Sequence, residues 1–303
     1  MSVYNAYLSL SGSLGVEAVR DERLAHRTSY RIGGPAALSV TAHTYPALAH
    51  AVEVLDREQV SWVVLGRGTN VLVSDKGYDG CVIRLGREFS RISFEDGGQV
   101  SAGGSVLLSK LVNECQSNGL SGLEPCVGIP GTVGGAISMD AGTRDEWIGR
   151  HVASVVTFRP GKGLVRYEAN DIEWGYRYTS IPAGEIVLEA SFCLSDRDPK
   201  EIAEDMEQRL SRRRRKQPMG KPTCGSVFRN PPGGSAGSLV ELCGLKGYAV
   251  GGAQVSDTHA NFVVNNGGAT ANDVLLVLQK MHADVMERHG VNLLPEVKFL
   301  GFD

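Results

Sequence analysis

Apolar and polar positions along the chain change period several times, and those changes divide it into elements. Residues 44 to 59 carry Leu48, Ala51, Val52 and Leu55 at helical spacing behind Pro46, which predicts a helix. Val60 to Leu65 then reads as a short buried strand, Gly66 to Asn70 interrupts it, and Val71 to Asp75 resumes as strand. Short β-like runs at 81–85, 92–94 and 99–102 lead into a helix expected from Ser105, apolar at Leu107, Leu108, Leu111, Val112 and Cys115 and stopped by Gly119. Strands are predicted at 152–159, 164–168 and 186–194. A helix should open at Asp198-Pro-Lys-Glu201 and end in Arg212 to Lys216. Beyond Pro218 and Pro222 the pattern gives a short helix at 238–243, a strand at 260–265, a long helix at 270–289 closed by Gly290, and a last strand at 294–300. The expected class is α+β, with lobes at 1–80, 81–215 and 216–297 and a terminal strand segment at 298–303.

Composition narrows the function. The 31 basic and 34 acidic residues nearly cancel, which removes the basic excess of a general nucleic-acid binder. The six cysteines form no Cys-x-x-Cys and the first twenty residues lack a signal segment, so a reduced, cytoplasmic protein is expected. No apolar run reaches the roughly 20 residues of a membrane span, and the seven histidines show no metal-ligand spacing. No metal and no membrane partner are therefore expected. Glycine is the outlier, at 38 of 303 residues, against roughly 7% in average chains. It clusters beside strand-like runs, as it does where backbone approaches a ligand.

Two of those clusters suit an anion. Gly66-Arg-Gly-Thr-Asn70 is followed by strand rather than helix, so a dinucleotide fingerprint is excluded, while a nest of backbone N–H groups is compatible. Gly128-Ile-Pro-Gly-Thr-Val-Gly-Gly135 adds a second loop with no acidic side chain. Plain glycine turns remain the alternative for both. Arg177, framed by Tyr176 and Tyr178, would lie on the opposite face of a strand from the tyrosines and is either a surface cation or an oxyanion stabiliser. Glu296, after Pro295, is a solvated edge residue or an active one. Ser226, in Thr223-Cys-Gly-Ser-Val-Phe-Arg-Asn-Pro231, is open between nucleophile, proton donor, phosphate ligand and turn residue.

In order, Thr28-Ser-Tyr-Arg-Ile-Gly-Gly-Pro35, Gly66 to Asp75, Gly128 to Gly135, Gly175-Tyr-Arg177, Cys224 to Pro231, Gly251 to Asn261 and Pro295-Glu-Val-Lys298 resemble the UDP-N-acetylenolpyruvoylglucosamine reductase family. The resemblance runs from about residue 25 to the end. It implies a two-lobed FAD-binding domain of the vanillyl-alcohol-oxidase type plus a separate substrate-binding domain, with NADPH as reductant and a UDP-sugar as substrate. The implied reaction reduces an enolpyruvyl ether to a lactyl ether in peptidoglycan precursor synthesis. FAD would be non-covalent, because covalent relatives carry a histidine in the first Gly-rich loop and residues 66–70 have none.

Residue by residue, the resemblance assigns Arg177 and Glu296 to stabilising the enol intermediate and Ser226 to donating the proton. Arg31, Gly66, Arg67, Gly68, Thr69, Asn70, Val71, Gly131, Thr132, Gly134, Gly135 and Asp140 fall at cofactor-binding positions. Tyr176, Lys221, Asn230 and Lys298 match substrate-facing positions. The chain departs from the family at Asp140, where asparagine is usual, and at Gly142-Thr-Arg144, where Gly-Ala-Tyr is usual. The 49-residue step from Arg177 to Ser226 lacks the tyrosine-bearing insert of the longer subclass. Two rival readings are an oxidase on the same scaffold and a nucleotide-sugar-binding protein that has lost FAD, and Cys224 is expected to be a packed thiol.

Overall fold

The computed structural model describes residues 2–302, so positions 1 and 303 of the first and last expected segments lie outside the described residues. Helices and strands mix along the whole chain, as an α+β class requires. The described residues form two compact units, one of residues 2–20, 38–66 and 80–211, the other of residues 21–37, 67–79 and 212–302.

Two sheets have four or more strands. In one, the strands run in the order Val16–Arg23, Pro35–Ala42, Tyr78–Leu85, Trp62–Val64, with the last pair parallel. The run at 81–85, expected to open the second lobe, is thus part of this first sheet, with Cys81 opposite Trp62. Helix Tyr45–Arg57 covers it, its N-terminus capped by Thr44, whose side chain accepts from Ala47 N–H at 3.3 Å. The predicted face (Leu48, Ala51, Val52, Leu55) is buried against Leu38, Val40 and Ile83. The chain also forms helix Val3–Leu10 and the strands Val16–Arg23 and Pro35–Ala42, which the hydrophobic pattern had left unassigned. Val16–Arg23 is the sheet's edge and carries charges at Glu17, Arg20, Asp21, Glu22 and Arg23, so its alternation is hidden.

The second sheet is antiparallel, in the order Gly163–Glu168, Val152–Arg159, Ile186–Cys193, Gln99–Gly103, Ile92–Glu95. Its core includes Val100, Val155, Ala190 and Phe192 beneath helix Leu108–Ser117. That helix starts three residues later than expected, and Leu107 is exposed. The cause is local: residues 106–108 are engaged in pairing with the second Gly-rich loop, Leu108 N–H donating to Gly131 O (3.1 Å) and Val133 N–H to Val106 O (2.9 Å).

The second unit is built on helix Ala271–His289. Val274, Val277, Leu278, Met281 and Val285 are buried in its core, as the spacing predicted, each worth roughly 1.5–3 kcal/mol of burial. A capping box of Thr270 and Asp273 starts the helix, and both carboxylate oxygens of Asp75 accept from its first N–H groups, Ala271 at 2.8 Å and Asn272 at 3.1 Å. Gly290 ends it in the left-handed conformation, φ 66°. The core includes strands Ala253–Val255 and Val263–Asn265 and, from the earlier segments, Tyr30, Ile32 and Leu72. Strand Lys298–Leu300 is shorter than expected and pairs in parallel with Val71–Val73. Among the described residues no helix is long and apolar enough to cross a membrane, and no cluster of three metal-ligating side chains occurs.

Candidate active site

Gly225 takes φ 84° in a bend, and beyond it Ser226 and Phe228 each bridge a neighbouring segment. On one side Ser226 bridges Phe262, and Asn261 holds the Phe228 backbone twice, accepting its N–H at 3.1 Å and donating to its carbonyl at 2.8 Å. On the other side Phe228 bridges Pro295, and Glu296 N–H donates to Val227 O at 2.8 Å. Ser226 and Glu296, far apart in sequence, therefore lie on adjoining segments of the second unit. Ser226 is half-buried, and its hydroxyl makes no hydrogen bond among the described residues, which leaves its proton free for a ligand. Glu296 is buried, 8% exposed.

Cys224 is a packed thiol in the core, as expected, with burial pushing its pKa up to about 12. The same motif contains a residue that the sequence had not singled out, Arg229, whose Nε is buried with no partner among the described residues. A basic residue between two motif positions was the only available signal. Asn230 accepts the Ala236 N–H at 3.0 Å, Lys221 donates to Asn266 Oδ1 at 2.8 Å, and Lys298 is exposed on its strand. Lys221 also lines an open cavity of about 370 Å³ with Arg214, Gln217, Ser256 and Thr258.

The Gly-rich loops divide their N–H groups unequally. In the second loop, Val133, Gly134 and Gly135 are already engaged: they donate to Val106 O, Gly104 O and Thr132 Oγ1. Gly131 and Thr132 keep N–H groups with no acceptor among the described residues. In the first loop the same holds for Arg67 and Gly68, and Gly68 is buried at φ 60° with its Cβ position only 2.3 Å from Arg27 O, so only glycine fits. Gly66 approaches the second loop closely, its Cβ position 2.7 Å from Thr132 Oγ1. Each loop taken by itself, with unengaged N–H donors and no carboxylate, suits an anion. Asn70 Nδ2 donates to Glu296 O at 3.2 Å, and Val71 pairs with Lys298. Arg31 is exposed at φ 57°.

In the first unit, Tyr176 and Arg177 are not on a continuous strand, as the alternation had suggested. They form the loop of a hairpin in which Gly175 pairs with Tyr178, and Arg177 takes φ 58°. Its guanidinium lies 5.1 Å from the Tyr176 ring centroid and donates to Gly142 O at 3.2 Å. Asp140, 2% exposed, accepts the Gly149 N–H at 3.1 Å. A Cβ on Gly149 would meet the Trp174 ring at 2.4 Å and Asp140 Oδ1 at 2.9 Å. Burial pushes the Asp140 carboxyl up to about 6, against the opposing pull of the Gly149 N–H and the Arg177 guanidinium.

Because that pKa rises above its unfolded value near 4, folding takes up a proton between about pH 4 and 6. Stability from this group is gained as pH falls through that window, and above it the fold carries a buried carboxylate. Asp140→Asn keeps the oxygen facing Gly149 and drops the charge. It should stabilise the protein on the order of 1–3 kcal/mol at pH 8 and little at pH 4.5, read as a Tm rise of a few degrees at the higher pH only. Equal shifts at both pH values would show that the charge is not the cause.

Comparison with known proteins decides the family. Residues 36–159 match the model of an FAD binding domain, and residues 217–300 match the C-terminal domain of UDP-N-acetylenolpyruvoylglucosamine reductase. The enzyme of that name from Syntrophotalea carbinolica is 41% identical over 280 residues, covering 92% of this chain and 93% of that protein. The chain belongs to the UDP-N-acetylenolpyruvoylglucosamine reductase family. The Bacillus subtilis reductase is 36% identical over 295 residues. The crystal structure of the Thermus caldophilus reductase superposes with TM-score 0.81 at 37% identity, covering 94% of this chain and 98% of that one. The reductase fold of an FAD-binding domain with a separate C-terminal domain, expected from the motifs, is thereby established, as is membership of a family of FAD-binding oxidoreductases.

Proposed function

We propose that this reductase uses NADPH and non-covalent FAD to reduce the enolpyruvyl ether of a UDP-N-acetylglucosamine derivative to the lactyl ether of UDP-N-acetylmuramate, in the cytoplasm, for peptidoglycan synthesis. The observation that carries the reading is the placement of Ser226, with a free hydroxyl, on the segment adjoining Glu296 in a chain of this family. FAD, when bound, supplies the hydride exchange between NADPH and the substrate's β-carbon. We assign the unengaged N–H groups of Arg67 and Gly68, and separately those of Gly131 and Thr132, to its phosphates.

Hydride arriving at the β-carbon drives negative charge onto the α-carbon and its carboxylate. We assign Arg177 to that carboxylate, where a fixed cation stabilises charge as it develops. Ser226 then gives its proton to the α-carbon. A serine hydroxyl is a weak acid, but an enolate carbon is a strong base, and Glu296 on the adjoining segment polarises the site for the transfer. Tyr176, Lys221, Asn230 and Lys298 are assigned to the UDP-sugar.

A visible absorption spectrum tests the reading at its base. The purified protein, reconstituted with FAD, should show flavin bands that bleach with NADPH and return with the enolpyruvyl substrate under anaerobic conditions. Bands restored only by oxygen would point to an oxidase, and a protein that takes up no FAD would point to a sugar-nucleotide binder.

A further inference from the structure

Asn70 belongs to the first Gly-rich loop, yet its amide is turned to the segment that carries Glu296. Its Nδ2 donates to Glu296 O at 3.2 Å, and its own carbonyl accepts the Lys298 N–H at 3.0 Å. Glu296 N–H meanwhile donates to Val227 O, next to Ser226. The backbone of Glu296 is thus held at both ends, its N–H by the serine segment and its carbonyl by the loop. Parallel pairing of Lys298–Leu300 with Val71–Val73 begins at once beyond this clasp, so the clasp fixes the register in which Glu296 enters the strand. A loop residue with a terminal amide can donate to one backbone carbonyl while its own peptide accepts two residues further on, which the shorter serine or a carboxylate at this position does not reproduce.

We propose that Asn70 is a positioning residue for Glu296, and that loading the loop with a pyrophosphate ligand pre-orders the Glu296 segment through it. The proposal rests on the reading that FAD is that ligand. Arg67 and Gly68, three and two residues before Asn70, hold the loop's unengaged N–H groups, so a ligand that fixes them also fixes the short backbone leading to the clasp. Ordering of residues 296–298 is then coupled to occupancy of the loop, which steadies the Glu296 segment beside that of Ser226.

Hydrogen exchange of the full chain tests this, with and without FAD, in the unaltered protein and in Asn70→Ala and Asn70→Asp. In the unaltered protein, FAD should slow amide exchange in residues 296–298. Without FAD, either variant should speed exchange there roughly three- to tenfold, the range expected for one lost hydrogen bond, and the slowing by FAD should be largely lost. Unchanged exchange in both FAD-free variants would overturn the proposal, as would a full FAD effect in a variant shown by its spectrum to be loaded. The kinetic companion is a double-mutant cycle with Glu296→Gln on substrate-driven flavin reoxidation. Asn70→Ala should add much less in the Glu296→Gln background than alone. Full additivity would mean that Asn70 does not act through Glu296, whereas no effect of Glu296→Gln itself would instead sink the functional reading on which the inference stands.

Discussion

Ser226→Ala should leave bleaching of the flavin by NADPH in place and slow its reoxidation by the enolpyruvyl substrate by roughly 10²–10⁴-fold, the span of a lost general acid. The substitution removes one oxygen from a half-buried residue on a segment whose backbone is held by Asn261, Phe262 and the 295–297 stretch, so the fold has little reason to change. Stopped-flow absorbance separates the two half-reactions, and solvent deuterium in the product locates the proton. Reoxidation at the normal rate would remove Ser226 from the mechanism. Ser226→Cys supplies a more acidic group at the same place and should recover part of the rate, which a purely structural role would not predict.

Arg177→Met should cost the same half-reaction roughly 10²–10³-fold, the value of one well-placed donor to developing charge. Arg177 sits at φ 58°, where any side chain other than glycine bears the same backbone strain, so methionine changes the charge and not the turn. The hydrogen bond to Gly142 O is lost at a half-exposed site, a small term beside the expected kinetic effect. Arg177→Lys should fall between the two, because an ammonium restores charge without the guanidinium's planar, two-pronged donor geometry. A rise in KM with unchanged kcat would make Arg177 a substrate anchor instead of a stabiliser of the transition state.

Much of the fold was legible because its long elements carry clean periods. Helix Ala271–His289 has five buried residues on the predicted face, a capping box and a C-terminal glycine, all local signals. The failures also have local causes. Val16–Arg23 is a charged edge strand, so alternation is masked, and helix Leu108–Ser117 starts late because residues 106–108 pair with a loop distant in sequence. The family resemblance singled out Ser226, Arg177 and Glu296, but spacing alone had no means of placing Ser226 beside Glu296. That adjacency depends on the Phe228 and Pro295 pairing, and the strand reading of Tyr176-Arg177 missed a two-residue hairpin loop. Nor does sequence tell which glycine N–H groups are engaged: Gly134 and Gly135 looked as available as Gly131.

The second unit gathers residues 21–37 and 67–79 with the last third of the chain, and its Asn70 and Glu296 partners are 226 residues apart. On a ribosome, Tyr30, Ile32 and Leu72 emerge long before Met281 and Val285, members of the same core. Val71–Val73 stays without its parallel neighbour until Lys298–Leu300 is made. Completion of this unit therefore waits for the synthesis of residues 298–300, and until then Val71–Val73 is an unpaired apolar strand of the kind that makes partly folded chains prone to aggregate.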